Sequence, residues 1–159
     1  MLTVERVWQI LDEVRDPEIP AVSVVEMGLI RSVGLKDGQL VVTMTPTFAG
    51  CPAIEVMQAE ICARLSQAGQ LQVEVRLTYS PPWCSDWITP AAREKLKAFG
   101  LSPPPLHAGQ LATALAQTAR CPYCDSDDTI LKNDFGPTLC RAIYVCNNCR
   151  QPFEGFKPI

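Results

Sequence analysis

Leu29-Ile-Arg-Ser-Val-Gly-Leu-Lys36-Asp37-Gly38-Gln39-Leu-Val-Val-Thr-Met-Thr45 is the stretch that decides the fold. Two short runs rich in aliphatic and β-branched residues, Leu29 to Lys36 and Gln39 to Thr45, flank the dipeptide Asp37-Gly38. That dipeptide supplies the two positive-φ positions of a type I′ turn, so the runs are expected to pair as an antiparallel hairpin. Downstream, Ile54, Met57, Ile61 and Leu65 trace one apolar stripe at helical spacing, with Pro52 suited to a first turn and Gly69 to a C-terminal cap. Val73, Val75, Leu77 and Tyr79 then alternate with polar residues as in a half-buried strand. A helical crossover makes that third strand parallel to the second.

The expected fold class is therefore α/β (α+β): a small three-stranded mixed sheet, a hairpin plus a βαβ crossover, with helices packed on it. Working outward, Val4, Val7, Trp8, Leu11 and Val14 predict an amphipathic helix over residues 4–14, with Thr3 as its N-cap. Asp16-Pro17 ends it, because the residue before proline avoids helical angles. Thr89-Pro90 opens another helix that runs to Phe99 and closes at Gly100. Ser102-Pro-Pro-Pro105 reads as a stiff spacer. These signals divide the chain into an α/β domain over 1–101, a Pro-rich linker with a short helix over 102–119, and a metal ribbon over 120–159. Connectivity also gathers the loops at 16–28, 46–51 and 80–88 at one end of the sheet, where open α/β sheets place their sites.

The ribbon rests on Cys121-Pro-Tyr-Cys124 and Cys146-Asn-Asn-Cys149, separated by twenty-one residues. Each Cys-x-x-Cys pair closes a short loop whose thiolates reach one cation, and two such loops supply a tetrahedron of sulfurs. Cys121, Cys124, Cys146 and Cys149 are thus expected to hold structural zinc, with a rubredoxin-like iron site as the alternative. Cys140 falls between the knuckles and is expected to pack inside the ribbon, since four ligands already complete the set.

Composition narrows the function. Of 159 residues 47% are hydrophobic and 19% charged, which argues against extensive disorder. The net charge is −3, and Asp125, Asp127 and Asp128 beside the first knuckle would repel phosphates, so nucleic-acid binding is disfavoured. Neither a signal peptide nor an apolar run long enough to span a bilayer is found, so a cytoplasmic location with reduced thiols is expected. There is one histidine, His107, read as a solvated linker residue. Histidine-dependent zinc hydrolases, Ser-His-Asp hydrolases and Glu-x-x-His di-iron centres all need residues this chain lacks, so no catalytic centre of its own is expected.

Cys51 stands directly before the crossover helix, where free N–H groups and the helix dipole favour a thiolate that binds soft metal or attacks an electrophile. A small cysteine packed at a turn is the plain alternative. Asp16 and Glu18 come to the same end, either as metal or acid–base groups or as turn caps. Thr45 and Thr47 belong to that cluster or simply to strand propensity. Trp83 and Trp87 are expected to cover the core; Asp86 to cap the turn before Thr89; Cys62 to sit at the core edge. Cys84 reaches the same end as Cys51 and either packs or serves as an accessory thiol.

Asp16-Pro-Glu18-Ile-Pro20, Thr45-Pro-Thr-Phe-Ala-Gly-Cys51-Pro52 and Pro81-Pro-Trp83-Cys-Ser-Asp86-Trp87 together resemble the iron–sulfur assembly domain of SufT-like proteins over residues 4–100. The tail, with Phe135-Gly136-Pro-Thr138-Leu-Cys140 and Cys146-x-x-Cys149-Arg-x-Pro152-Phe153, resembles the PaaD (also called PaaJ) component of bacterial phenylacetyl-CoA epoxidase systems. The resemblance implies a non-enzymatic accessory subunit in aerobic phenylacetate degradation. That role is to assist iron or iron–sulfur centre assembly in a di-iron oxygenase or an iron–sulfur flavin reductase. It implies Cys51 as transient iron or cluster ligand with Asp16, Glu18 and Thr45 in support, and a homodimer. Cys84 stands where the family has Ser or Thr, so no family role carries over to it, and Cys84 and Asp86 are read as accessory residues. A zinc-stapled scaffold subunit and a zinc-ribbon nucleic-acid binder are the competing readings.

Overall fold

The computed structural model describes residues 2–70 and 72–159. Two compact units divide the chain, Met1–Trp83 and Cys84–Ile159.

The first unit opens with helix α1, Val4–Asp12, whose N-cap Thr3 accepts the Arg6 N–H at 3.2 Å. It stops short of the expected residue 14, but Val14 remains fully buried beside Val7, Ile10 and Leu11. Burying one such aliphatic side chain contributes about 1.5–3 kcal/mol, which sets the helix face more firmly than its propensity does. Strands β1 (Ile30–Lys36) and β2 (Gln39–Met44) form the antiparallel hairpin, with Asp37 at φ 51° and Gly38 at φ 80° in the turn. Helix α2 (Ala53–Gln67) crosses over to β3 (Val73–Leu77), which pairs in parallel with β2 from Leu40↔Val73 to Met44↔Leu77. The sheet order is β1-β2-β3, the mixed three-stranded arrangement that the hairpin and crossover dictate. Ile54, Met57, Ile61 and Leu65, the predicted stripe, are buried on α2.

The second unit holds a 3-10 turn at Ser85–Trp87, helix α3 (Pro90–Ala98), the two-residue strand β4 (Leu101–Ser102) and the short helix α4 (Leu111–Leu115). These precede the hairpin β5 (Thr129–Asn133) and β6 (Arg141–Cys146), followed by β7 (Pro152–Phe156). The sheet order is β4-β7-β6-β5, with β4 parallel to β7.

Pairing of β4 with β7 moves the boundary. Reading the sequence put α3 with the first sheet and began a linker at residue 102, whereas the compact units part between Trp83 and Cys84. The physical reasons are local. Leu101 and Ser102 are buried strand residues opposite Glu154 and Gly155, and Ser85 N donates to the main-chain oxygen of Ile159 at 2.9 Å. The Arg93 guanidinium donates to Pro104 O and, at 2.8 Å, to Ser85 O, so the triple proline is anchored rather than a free spacer. No helix among the described residues is long and apolar enough to cross a membrane.

Candidate metal sites

In the second unit the two knuckles share one backbone design. Asp125 N donates to Cys121 O and Arg150 N to Cys146 O, each at 3.0 Å. Cys121 N donates to Ser126 O and Cys146 N to Gln151 O, again at 3.0 Å. Asp125 (φ 60°) and Arg150 (φ 64°) occupy the left-handed region that lets each loop turn back on its sulfurs. Cys121 and Cys146 are fully buried against Phe153, with Tyr144 and Ala119 packed around them.

The four Sγ atoms lie within 4.8 Å of one another, and the cross-knuckle pairs Cys121–Cys149 and Cys124–Cys146 are each 3.6 Å apart. A tetrahedral ion with metal–sulfur bonds of about 2.3 Å imposes sulfur–sulfur edges of about 3.8 Å. Donor set and spacing of the four-cysteine cluster therefore fit one cation. Asn148 Nδ2 donates to Cys124 Sγ at 3.5 Å, and this bond is the leading cause that lowers the Cys124 thiol to about 6. Cys140 is buried behind the ribbon with its sulfur 3.1 Å from Thr138 Oγ1, and it does not join the cluster.

Cys51 lies in the loop that ends at α2, and the first unit brings Asp16 and Glu18 into its electrostatic range. The thiolate expectation does not hold. Burial, first, pushes the Cys51 thiol up from its ordinary value; the Ala53 and Ile54 N–H groups pull the other way, and the Glu18 and Asp16 carboxylates add to the rise. The helix start acts as expected but loses to desolvation and like-sign neighbours. At neutral pH the resting group is a thiol, which an incoming soft cation must deprotonate.

Asp16 Oδ1 accepts the N–H groups of Glu18 (2.8 Å) and Ile19 (3.2 Å), so it caps its own turn. Thr45 is fully buried; its N–H donates to Leu29 O at 2.8 Å, while its Oγ1 finds no partner among the described residues. An orphaned hydroxyl of that kind costs about 1–3 kcal/mol, a cost that a bound group could offset. Trp83 covers the core as expected, 3% exposed, its indole N–H donating to Met27 O at 2.9 Å.

The remaining expectations change. His107 is not a solvated linker residue: its side chain is 5% exposed, with Nε2 3.5 Å from Cys84 Sγ and 3.1 Å from the Ile159 main-chain oxygen. Asp86 does not cap the turn before Thr89; its carboxylate accepts the N–H groups of His107 (3.0 Å) and Ala108 (2.7 Å). Desolvation alone would raise Asp86, but those two bonds outweigh it and hold the group below its ordinary value. Thr89 caps α3 itself, accepting Ala92 N–H at 3.1 Å. Cys84 falls in the second unit, with Asp86 and His107 as its neighbours. Sequence reasoning missed His107; the only available signal was the run of prolines just before it, which limits where the chain can go.

Comparison with known proteins extends the geometry. Residues 4–76 match the iron–sulfur cluster assembly protein family and residues 107–157 the PaaD zinc beta ribbon domain. A protein of Escherichia coli K12, named as the D component of a 1,2-phenylacetyl-CoA epoxidase, is 40% identical over 98% of this chain and 93% of its own length. The chain belongs to this PaaD family. The chain also resembles Fe–S protein maturation auxiliary factors of Porphyromonas gingivalis (36% identity, 59% of this chain, 90% of the relative) and Bacillus subtilis (32%, 56%, 88%). Among solved structures, a conserved hypothetical protein of Thermotoga maritima superposes with TM-score 0.51 at 31% identity, covering 60% of this chain and 94% of that one. A domain of unknown function from Bacillus anthracis gives TM-score 0.53 at 28% identity, with 58% and 89% covered. The two matched segments of this chain fall one in each compact unit.

Proposed function

We propose that this protein is an accessory maturation subunit of a cytoplasmic phenylacetyl-CoA epoxidase system. It assists iron or iron–sulfur centre assembly in the di-iron oxygenase or the iron–sulfur reductase and catalyses no ring chemistry itself. The observation that carries this reading is Cys51 within electrostatic range of Glu18 and Asp16, in a chain whose relatives include proteins named for Fe–S protein maturation. Its raised pKa suits a transient ligand: metal displaces a proton on arrival, and reprotonation favours release. The buried Thr45 hydroxyl, without a partner among the described residues, is the third supporting group. Cys121, Cys124, Cys146 and Cys149 hold zinc, whose closed thiolate set leaves no open coordination position and makes the ribbon a docking module. The partners are the other epoxidase components and a second copy of the chain in a homodimer.

The deciding experiment is Cys51→Ala in a host that expresses the whole epoxidase system. Oxygenase and reductase purified from that host should carry less iron than from wild type, while the variant itself keeps its zinc and its solubility. Full metal loading of both partners would overturn the maturation role and leave the scaffold reading, in which ribbon substitutions disrupt subunit association and Cys51 is dispensable.

A further inference from the structure

Cys84, Asp86 and His107 form a second group of metal-ligating side chains in the second unit, one that the maturation role does not use. One donor atom from each lies within 4.8 Å of the other two. Cys84 Sγ is 3.5 Å from His107 Nε2, which is in turn 3.8 Å from Asp86 Oδ1. A tetrahedral ion with bonds of about 2.3 Å to sulfur and about 2.0–2.1 Å to nitrogen and oxygen imposes a sulfur–nitrogen edge of about 3.5 Å and a nitrogen–oxygen edge of about 3.4 Å. The first edge already has that length, and a small rotation of Asp86 closes the second. The Ile159 main-chain oxygen, 3.1 Å from Nε2, offers a fourth donor.

The group is held in place by the fold. Asp86 takes the N–H of residues 107 and 108 and so holds the His107 backbone beside its carboxylate. Oδ1 accepts only the His107 N–H of these two, and its second lone pair remains for a cation. The ring itself is nearly sealed from solvent.

Hydrogen bonding alone accounts for the resting arrangement. Gly109 N–H donates to His107 Nδ1 at 3.2 Å, so the ring proton sits on Nε2, between Cys84 Sγ and the Ile159 oxygen. A cation would replace that proton at the point where the same atoms already converge. Its arrival sends the ring proton to Nδ1, which must open the Gly109 contact. Gly109, at φ 85°, is a residue whose amide can swing away at little cost.

We propose that Cys84, Asp86 and His107 bind a first-row divalent cation of the zinc, cobalt or iron(II) class, separately from the four-cysteine cluster. One thiolate, one imidazole and one carboxylate select that class over magnesium and calcium, which prefer oxygen alone. With one thiolate instead of four, the site binds more weakly than the ribbon and exchanges its ion. The inference stands independently of the maturation reading, since it involves neither Cys51 nor a client.

The test uses the full-length chain carrying Cys51→Ala, which removes the other proposed soft-metal thiol, with the ribbon loaded with zinc and titrated with cobalt(II). The expected result is a thiolate-to-cobalt charge-transfer band that saturates at one cobalt per chain with no zinc released. A parallel zinc titration followed by NMR should shift the Gly109 amide. Cys84→Ser, nearly isosteric, and His107→Ala should each abolish the band while the ribbon zinc is retained, which also reports that the unit is folded. Absence of the band in the Cys51→Ala parent, release of ribbon zinc in step with cobalt uptake, or a band that survives Cys84→Ser in that parent would each overturn the proposal.

Discussion

The Trp83 indole N–H donates to the main-chain oxygen of Met27 at 2.9 Å, and both residues are buried. This bond ties the end of the first unit to the loop that precedes β1. Trp83→Phe keeps an aromatic ring over the core but leaves the Met27 carbonyl without this donor. The expected cost is about 1–3 kcal/mol. Native-state hydrogen exchange of the β1 and β2 amides reads it directly, and protection equal to wild type would show that the bond contributes nothing.

Glu18 and Asp16 raise the Cys51 thiol because a thiolate beside carboxylates is repelled, although burial is the larger cause. Removing one negative neighbour must therefore lower the thiol's pKa and increase its thiolate fraction at any fixed pH below it. Glu18→Gln is the cleaner choice, since Asp16 also caps its turn through Glu18 N–H and Ile19 N–H. Alkylation of Cys51 by iodoacetamide, followed by peptide mass spectrometry at pH 8, should be faster in Glu18→Gln than in wild type. Alkylation should also accelerate with rising pH in both proteins. An unchanged or slower rate would mean that Glu18 does not act on the sulfur.

How much of this was legible in the sequence depends on how local each signal was. Asp37-Gly38 and the stripe from Ile54 to Leu65 announced the hairpin and crossover because turn chemistry and helical period are written within a few residues. The four ribbon cysteines were legible for the same reason, each pair being its own chelating loop. The boundary was not, since it depends on Leu101 and Ser102 pairing with Glu154 and Gly155, partners far away in the chain with no periodic cue. His107 was misread because three prolines suggested a spacer, while Arg93 and Asp86 anchor that segment from a helix and a turn upstream. For Cys51 the helix start was visible, but the burial that outweighs it is a property of the assembled fold.

Thr45 offers a way to separate stability from function. Its Oγ1 is buried without a partner among the described residues, and valine has nearly the same shape without the hydroxyl. Thr45→Val should therefore stabilise the first unit, by about 1–3 kcal/mol if the full desolvation cost is recovered. If the hydroxyl serves cargo, the same variant should retain less iron after anaerobic loading than wild type. Chemical unfolding and iron analysis on one preparation give both readings. A stabilised variant with undiminished iron retention would remove Thr45 from the site.

Gly155 leaves room for the Tyr144 ring that packs toward the four-cysteine cluster. A Cβ there would stand 2.7 Å from Tyr144 Cε2 and 3.3 Å from Ala119 Cβ. Tyr144 has little room to yield, because its ring stacks on Phe153 at 5.5 Å between centroids, and Phe153 packs against Cys121 and Cys146. Gly155→Ala should force that stack apart and cost about 1–3 kcal/mol by overpacking. The strain is passed to Cys121 and Cys146, so zinc bound by the cluster should leave faster in a competition with a chromophoric chelator. Tyr144→Ala in the same chain removes the obstructing ring, so the double variant should lose less stability than the two single changes predict together. Additive losses would mean that the clash lies elsewhere and that the aromatic stack does not transmit it to the cluster.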